Sequence, residues 1–319
     1  MNFKMKALIG ISAAMLVSGS VMAKDFTVGF ANRTLNGSYF NAMTESVKKL
    51  VQAEGWKVIT TDARGDLNKQ VADVEDMLAR GIDVLILNPQ DPVGGQKIVK
   101  LARDKKIPVV ILDSDLGPAD VITRVGPDNA KSDFAIGEYA AKQFGNTPVK
   151  LAVISGNQGN MGGYARSSNF YLGIIDGQLR NSAKTDFTIV AQGWGGWDQQ
   201  GGLKAMEDIL VAHPETNAVY AENDDMALGA IRALKAANKL KAVKVYSFDG
   251  NKNGYKAIID GEMQATGENS PKILAGMAVE VVKNAKEGKV VNYPDHYLSP
   301  VVVVNKDNAA KMYDPNALF

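Results

Sequence analysis

Four polar residues at matched intervals are the part of this chain best placed to meet a guest. The apolar run Ala218 to Ala221 stops at Glu222-Asn223-Asp224 and gives way to a segment in which Met226, Ala230, Ile231 and Leu234 share one helical face. That pattern reads as a buried strand, a polar tip and a helix start. Tips at the carboxyl ends of strands line the ligand crevice in open α/β sheets, which puts Asn223 where a side chain can reach a ligand. A second tip follows 26 residues on (223 to 249), where Val243 to Phe248 ends in Asp249. The first half of the chain repeats the arrangement: Val84 to Leu87 ends in Asn88, and Pro108 to Leu112 ends in Asp113 after 25 residues (88 to 113). Asn and Asp also favour strand ends and caps for purely structural reasons, but two such pairs at matched spacing favour hydrogen-bonded ligand capture shared by two similar lobes.

The elements that must carry these tips are legible as alternating apolar runs and helix-period segments. The runs are Phe26 to Ala31, Val58 to Thr61, Val84 to Leu87, Pro108 to Leu112, Val149 to Ile154, Phe187 to Ala191, Ala218 to Ala221 and Val243 to Phe248. Between the first of them, Phe40, Met43, Val47 and Leu50, then Val71, Val74 and Leu78, recur at helical spacing. This alternation predicts parallel sheets made from right-handed βαβ units. No Gly-x-Gly-x-x-Gly follows the first strand, where Ala31-Asn-Arg-Thr-Leu-Asn-Gly37 stands instead, so a dinucleotide cradle is disfavoured. Asp66-Leu-Asn-Lys-Gln70 begins like a calcium loop, but its sixth place is Val71 rather than glycine, and the closing glutamate is missing. It reads as a loop leading into a helix capped by Asn68.

Composition narrows the class further. Lys4 and Lys6 precede an apolar run from Ala7 to Met22 that ends in Ala23, the pattern of an export signal cleaved after Ala23. The run is short of the roughly 20 residues that span a bilayer. The mature chain would be residues 24 to 319, long enough for two domains with their own cores. The whole chain carries 36 Lys+Arg against 35 Asp+Glu, and the removed segment holds two lysines and no acid, so nothing points to nucleic acid or an anionic membrane. Cysteine is absent and only His213 and His296 are imidazoles, which excludes thiol chemistry and leaves no metal set or cofactor site to name.

The segments Thr34-Leu-Asn-Gly-Ser-Tyr-Phe40, Asp83-Val-Leu-Ile-Leu-Asn-Pro-Gln-Asp91, Ile107-Pro-Val-Val-Ile-Leu-Asp113, Ala221-Glu-Asn-Asp-Asp-Met-Ala-Leu-Gly-Ala230 and Phe248-Asp-Gly250 make the chain resemble a periplasmic sugar-binding protein of the ribose/galactose type, the substrate-capture component of an ABC importer. The resemblance covers Phe26 to Val304. It implies the type I periplasmic binding protein fold: two Rossmann-like α/β lobes with parallel sheets, joined by three hinge crossovers and closing on a ligand by hinge bending. By that alignment the N-terminal lobe is residues 24–127 plus 270–298, and the C-terminal lobe is 128–269 plus 299–319.

A sugar is a ring of hydroxyls with apolar faces, so its binder needs planar hydrogen-bonding groups at the rim and aromatic surfaces above and below. The resemblance implies that Asp113 and Asp249 accept from hydroxyls, that Asn223 and Asn269 accept and donate, that Tyr39, Phe40, Trp197 and Phe248 sandwich the ring, and that Arg166 binds it. Trp194 lies three residues before Trp197 and is its competitor for the same place. Phe248, ending a buried strand, reads almost equally well as a core residue. The chain departs from ribose binders in one respect: Asp113 is followed by Ser114 rather than arginine, while Arg33 stands where a small hydroxyl residue is usual. Arg33 is therefore expected to supply the missing guanidinium from another side, which leaves room for another pentose, a hexose or a sugar alcohol.

The expected partners are a monosaccharide or polyol and an importer permease, with a chemoreceptor contact compatible with both; the protein is expected to be monomeric and periplasmic. A carbohydrate-active enzyme is the alternative, because glycosidases use two carboxylates across a sugar. Neither aspartate lies in an obviously apolar pocket, however, and no other acid or base is marked out, so no catalysis is expected. A transcriptional regulator would need a DNA-binding segment where the export signal stands.

Overall fold

The computed structural model describes residues 25–319, so the expected export segment and its expected cleavage point lie outside the described residues. The first lobe opens with β1 (Thr27–Asn32), α1 (Ser38–Ala53), β2 (Lys57–Asp62), α2 (Leu67–Ala79), β3 (Val84–Leu87), α3 (Pro92–Asp104), β4 (Val109–Leu112) and β5 (Thr123–Gly126). The second lobe follows with α4 (Asn129–Phe144), β6 (Val149–Ser155), α5 (Met161–Ser182), β7 (Phe187–Trp194), α6 (Gln199–Ala212), β8 (Ala218–Ala221), α7 (Asp224–Ala236), β9 (Lys244–Asp249), α8 (Lys252–Ile259) and β10 (Ala265–Glu268). The chain then returns to the first lobe for α9 (Pro271–Lys286) and β11 (His296–Leu298), and ends in the second with β12 (Val303–Asn305) and α10 (Ala309–Met312).

Each lobe holds a six-stranded sheet. The first has the order β11-β5-β4-β3-β1-β2 with every pairing parallel. The second has the order β12-β10-β9-β8-β6-β7, in which β12 alone runs antiparallel. Helices cover both faces, so the central strands read as unbroken apolar runs: all four residues of β3, β4 and β8 are buried. Each sheet therefore separates two apolar clusters. Val28, Phe30, Val84 and Ile86 pack against α1 and α9, whereas Leu85, Leu87 and Ile111 face α2 and α3. Met226, Ala230, Ile231 and Leu234 share the buried face of α7, as their spacing requires.

All eight apolar runs form strands, with ends moved by at most three residues and the ends of β3 and β8 unmoved. Four further strands, β5, β10, β11 and β12, carried no such signal. In β5 the sequence is Thr-Arg-Val-Gly, and Arg124 is only 4% exposed because Asp295 and Asp115 neutralise it and its Nη1 donates to the Gly117 carbonyl at 2.5 Å. The cap of α2 is Asp66 rather than Asn68. Its carboxylate accepts from the amides of both Asn68 and Lys69, a charged acceptor at the positive end of the helix, and Asn68 lies inside the first turn.

The chain passes between the sheets three times: after β5, after β10, and between β11 and β12. Ser299 N, just past β11, still donates to the Gly126 carbonyl of β5, and Glu268 N of β10 donates to Val302 O, so the third passage runs beside the starts of the other two.

Candidate functional site

Parallel strands point their carboxyl ends the same way, and the residues that leave those ends meet where the lobes face each other. Asp113 follows β4 and Asp249 ends β9. Both adopt left-handed backbone, with φ of 71° and 117°, as does Trp197 at 68°. Non-glycine residues held there are strained and gather at functional sites. The strain turns each aspartate out of its sheet.

Between the two aspartates runs a chain of hydrogen bonds that crosses from lobe to lobe. Tyr39, at the start of α1, donates its hydroxyl to Asp113 Oδ1 at 2.6 Å and lies 3.2 Å from Asn269 Oδ1. Asn269 follows β10 and is buried; its Nδ2 donates to Asp249 Oδ1 at 3.3 Å, while its backbone N–H donates to the Asp249 carbonyl at 2.9 Å. Asp249 Oδ1 also accepts from Arg166 Nη1 at 3.2 Å. The sequence-derived residues Tyr39, Asp113, Asn269, Asp249 and Arg166 thus form one polar line across the interface.

Arg166 projects from α5 and is held on every side. Nη1 also donates to the Glu222 carbonyl at 2.8 Å, Nε donates to Asn129 Oδ1 at 3.1 Å, and the guanidinium lies 4.1 Å from the centre of the Phe248 ring. Phe248 itself is 0% exposed and belongs to the core of the second lobe. It therefore departs from its expected place as a ring open to a guest: the strand end buries one side, and Arg166 covers the other. Trp197 is half-buried, 5.9 Å from Arg166, whereas its competitor Trp194 is 51% exposed at the end of the edge strand β7. A Cβ on Gly156 would stand 1.9 Å from the Trp197 ring, so only glycine lets the indole settle there.

Asn223 caps α7, its Oδ1 accepting from Met226 N at 2.9 Å, while its Nδ2 donates to the Trp197 carbonyl at 3.2 Å. Its sequence counterpart Asn88 is fully buried and donates to Asn32 Oδ1 at 3.2 Å; the cap of α3 is Asp91. The two halves of the repeat thus match at Asp113 and Asp249 and diverge at their asparagines. Phe40 packs edge-on to Tyr39 with ring centres 5.4 Å apart, and Arg33 lies 5.9 Å from the centre of the Phe40 ring. Arg33 Nε is buried with no hydrogen-bond partner among the described residues. Asn32 holds this corner by donating to Phe40 O and Thr44 Oγ1.

Residues not singled out from sequence support the site. Glu222 is buried; it accepts from Gly156 N at 2.8 Å and from Ser167 Oγ at 2.6 Å, tying the Trp197 seat to α5. Its signal was a carboxylate set directly before Asn223 at a strand end. Asp133 accepts from the Tyr220 hydroxyl, and Asp224 accepts from Asn251 N and Thr266 Oγ1, each at 2.7 Å.

Of these buried carboxylates, Asp249 meets the Arg166 guanidinium directly and Asp133 feels its charge. Burial pushes Asp133 and Asp224 up to about 8 and Asp249 to about 6, the last held down chiefly by Arg166. Burial, then Asp113, raise Tyr39 well above the usual phenol range, so it stays a donor. No groups of acids, histidines and cysteines that could hold a metal ion occur among the described residues. A groove of about 460 Å³ along β7 and α6, lined by Trp194, Lys204 and His213 among others, contains none of the site residues.

A family model described as the periplasmic binding protein domain matches residues 28–289. The chain belongs to this periplasmic binding protein family. It is 33% identical over 298 residues to the ribose import binding protein RbsB of Salmonella typhimurium, covering 92% of this chain and 97% of that one. The crystal structure of an ABC transporter solute binding protein from Mycobacterium smegmatis with bound glycerol superposes with a TM-score of 0.82 at 30% identity, covering 92% of this chain and 98% of its own. Another such protein, from Bacillus halodurans with bound myo-inositol, gives 0.80 at 26% identity over 90% and 97% of the two chains. As a periplasmic binding protein the chain captures a substrate rather than transforming it, and the enzyme alternative falls away.

Proposed function

We propose that this protein captures a monosaccharide or sugar alcohol between its lobes and delivers it to the permease of an ABC importer. The observation that carries this reading is the polar line from Asp113 through Tyr39 and Asn269 to Asp249 and Arg166, drawn from both lobes and flanked by Phe40 and Trp197. Carboxylates, amides and a guanidinium fork match vicinal hydroxyls, and the aromatic rings match the C–H faces between them. The relatives named for ribose, glycerol and myo-inositol share one chemistry, a neutral polyhydroxylated guest, and support that class here.

In this reading Asp113, Asp249, Asn223 and Asn269 exchange hydrogen bonds with the guest, Tyr39, Phe40 and Trp197 cover it, and Phe248 seats Arg166. Arg33 supplies the second guanidinium; its unpartnered Nε beside Phe40 supports that role. The lobes are residues 24–127 plus 270–298 and 128–269 plus 299–319, hinged at the three passages between the sheets. The mature protein begins after Ala23, acts as a monomer and, once closed, presents a new surface to the permease and to any chemoreceptor.

Calorimetry of the purified protein against pentoses, hexoses and polyols tests the reading. Micromolar binding of at least one corresponds to about −8 kcal/mol. Absence of heat across the panel, with no change in tryptophan fluorescence, would refute it.

A further inference from the structure

The last turn of the chain reaches a place that the strand-and-tip pattern does not explain. After β12 the backbone runs along the second lobe: α10 packs on α8, Met312 and Tyr313 lie against that lobe's core, and Lys252 Nζ donates to Ala317 O at 2.9 Å. Two residues later the chain leaves that lobe. The Phe319 ring lies 5.2 Å from the Tyr39 ring at an interplanar angle of 77°, an edge-on contact. Tyr39 belongs to α1 of the first lobe, and Phe40 meets it from another side at 5.4 Å and 89°. Leu318, next to Phe319, is 67% exposed, whereas Phe319 is half-buried, so it is the aromatic residue that turns inward at this point.

Resting on the reading in which the lobes close on a sugar, we propose that Phe319 is a positioning residue of the sugar cleft: carried by the second lobe, it packs on the Tyr39 ring of the first and holds the Tyr39 hydroxyl on Asp113 and Asn269. Phe319 travels with one lobe and Tyr39 with the other, so the contact exists only when the cleft is closed. A sugar that bridges the lobes favours that same state, so whatever the ring contact adds to closure it also adds to sugar affinity. An edge-on aromatic pair corresponds to about a three- to tenfold change in an equilibrium constant. Most of that change falls on release, because a contact formed after encounter slows dissociation rather than speeding capture.

The experiment compares the full protein with Phe319→Ala and Phe319→Tyr. Ribose, glycerol and myo-inositol, together with the sugar bound best in the wider panel, are titrated by calorimetry, and release is followed by stopped-flow tryptophan fluorescence. The expected result is a three- to tenfold weaker Kd for Phe319→Ala with a matching rise in release rate. Its association rate and ligand-free unfolding midpoint should be unchanged, and Phe319→Tyr should restore wild-type binding. An unchanged Kd and release rate would overturn the inference, as would a lower unfolding midpoint alone, which would make Phe319 a packing residue of the second lobe. Tighter binding by Phe319→Ala would overturn it too, since the ring would then compete with the guest. A wild-type protein that binds nothing in the panel refutes the sugar reading itself, an outcome distinct from a variant that binds as well as wild type.

Discussion

Replacing Arg166 with alanine should destabilise the ligand-free protein by an amount that grows with pH, and the structure fixes the window. Arg166 is the cation beside Asp249, which burial raises to about 6 even with the guanidinium 3.2 Å away. Without Arg166 the burial term stands nearly alone, and Asp249 moves higher. The unfolded chain is the same reference for both proteins at this position. Above pH 6 the wild-type aspartate has already lost its proton, while the folded variant retains it and is destabilised relative to its unfolded state by about 1.4 kcal/mol for each further pH unit. From pH 6 to pH 8 the gap between wild type and variant should therefore widen by up to about 2.7 kcal/mol, on top of a pH-independent loss of about 1–3 kcal/mol from the orphaned Glu222 carbonyl and Asn129 side chain.

Asp133, which also feels Arg166, sits at about 8 and keeps most of its proton up to pH 7 in both proteins, so the widening from pH 6 to pH 7 reports on Asp249. Urea unfolding at pH 6, 7 and 8 measures it. Arg166→Ala/Asp249→Asn should show the constant loss without the widening. A gap that stays flat from pH 6 to 8 in the single variant would refute the coupling between this pair and with it the electrostatic account of the site.

Two further outcomes follow from the same geometry. Arg33→Ala should weaken sugar binding well over tenfold by calorimetry, because the guest would lose the guanidinium whose Nε stands unpartnered beside Phe40; an unchanged affinity would return Arg33 to the solvated surface. Asp224 is held near 8 against an ordinary 3.8, so the stability of its protonated form is fully present below about pH 4 and lost as pH rises through 8. The ligand-free melting temperature should accordingly fall between pH 5 and pH 8, and Asp224→Asn should flatten part of that slope; an identical slope in the variant would assign the pH response elsewhere.

The central strands of both sheets were legible because strands covered on both faces must be apolar throughout, and a run such as Val84 to Leu87 has no other good reading. The strands that escaped detection are those whose burial depends on a distant partner. Arg124 makes β5 look like a loop until Asp295, brought alongside when the chain returns to the first lobe after β10, neutralises it. The β10 sequence Ala-Thr-Gly-Glu has no apolar signature, and its place is set by β9 and β12 on either side. The same division holds in the site. Asp113 and Asp249 stand out because a carboxylate ends an apolar run, but the left-handed backbone that aims them is a property of the folded loops.

That distinction explains why Phe248 could be placed in the site yet not given its part from sequence. An aromatic before a strand-end aspartate is compatible with two arrangements, a ring open to the cleft or a ring roofed by another group, and the choice depends on where α5 passes. Here α5 brings Arg166 within 4.1 Å of the ring, and the neighbouring Gly163 is what lets that helix approach: a Cβ there would stand 2.3 Å from Glu222 Oε2. Glu222 in turn accepts from Ser167, one residue past Arg166, and its own carbonyl receives the guanidinium. A single buried acid therefore fixes the helix, the arginine and the Trp197 seat together. None of the three can shift without breaking a hydrogen bond to Glu222, two of them buried and the arginine's part-buried.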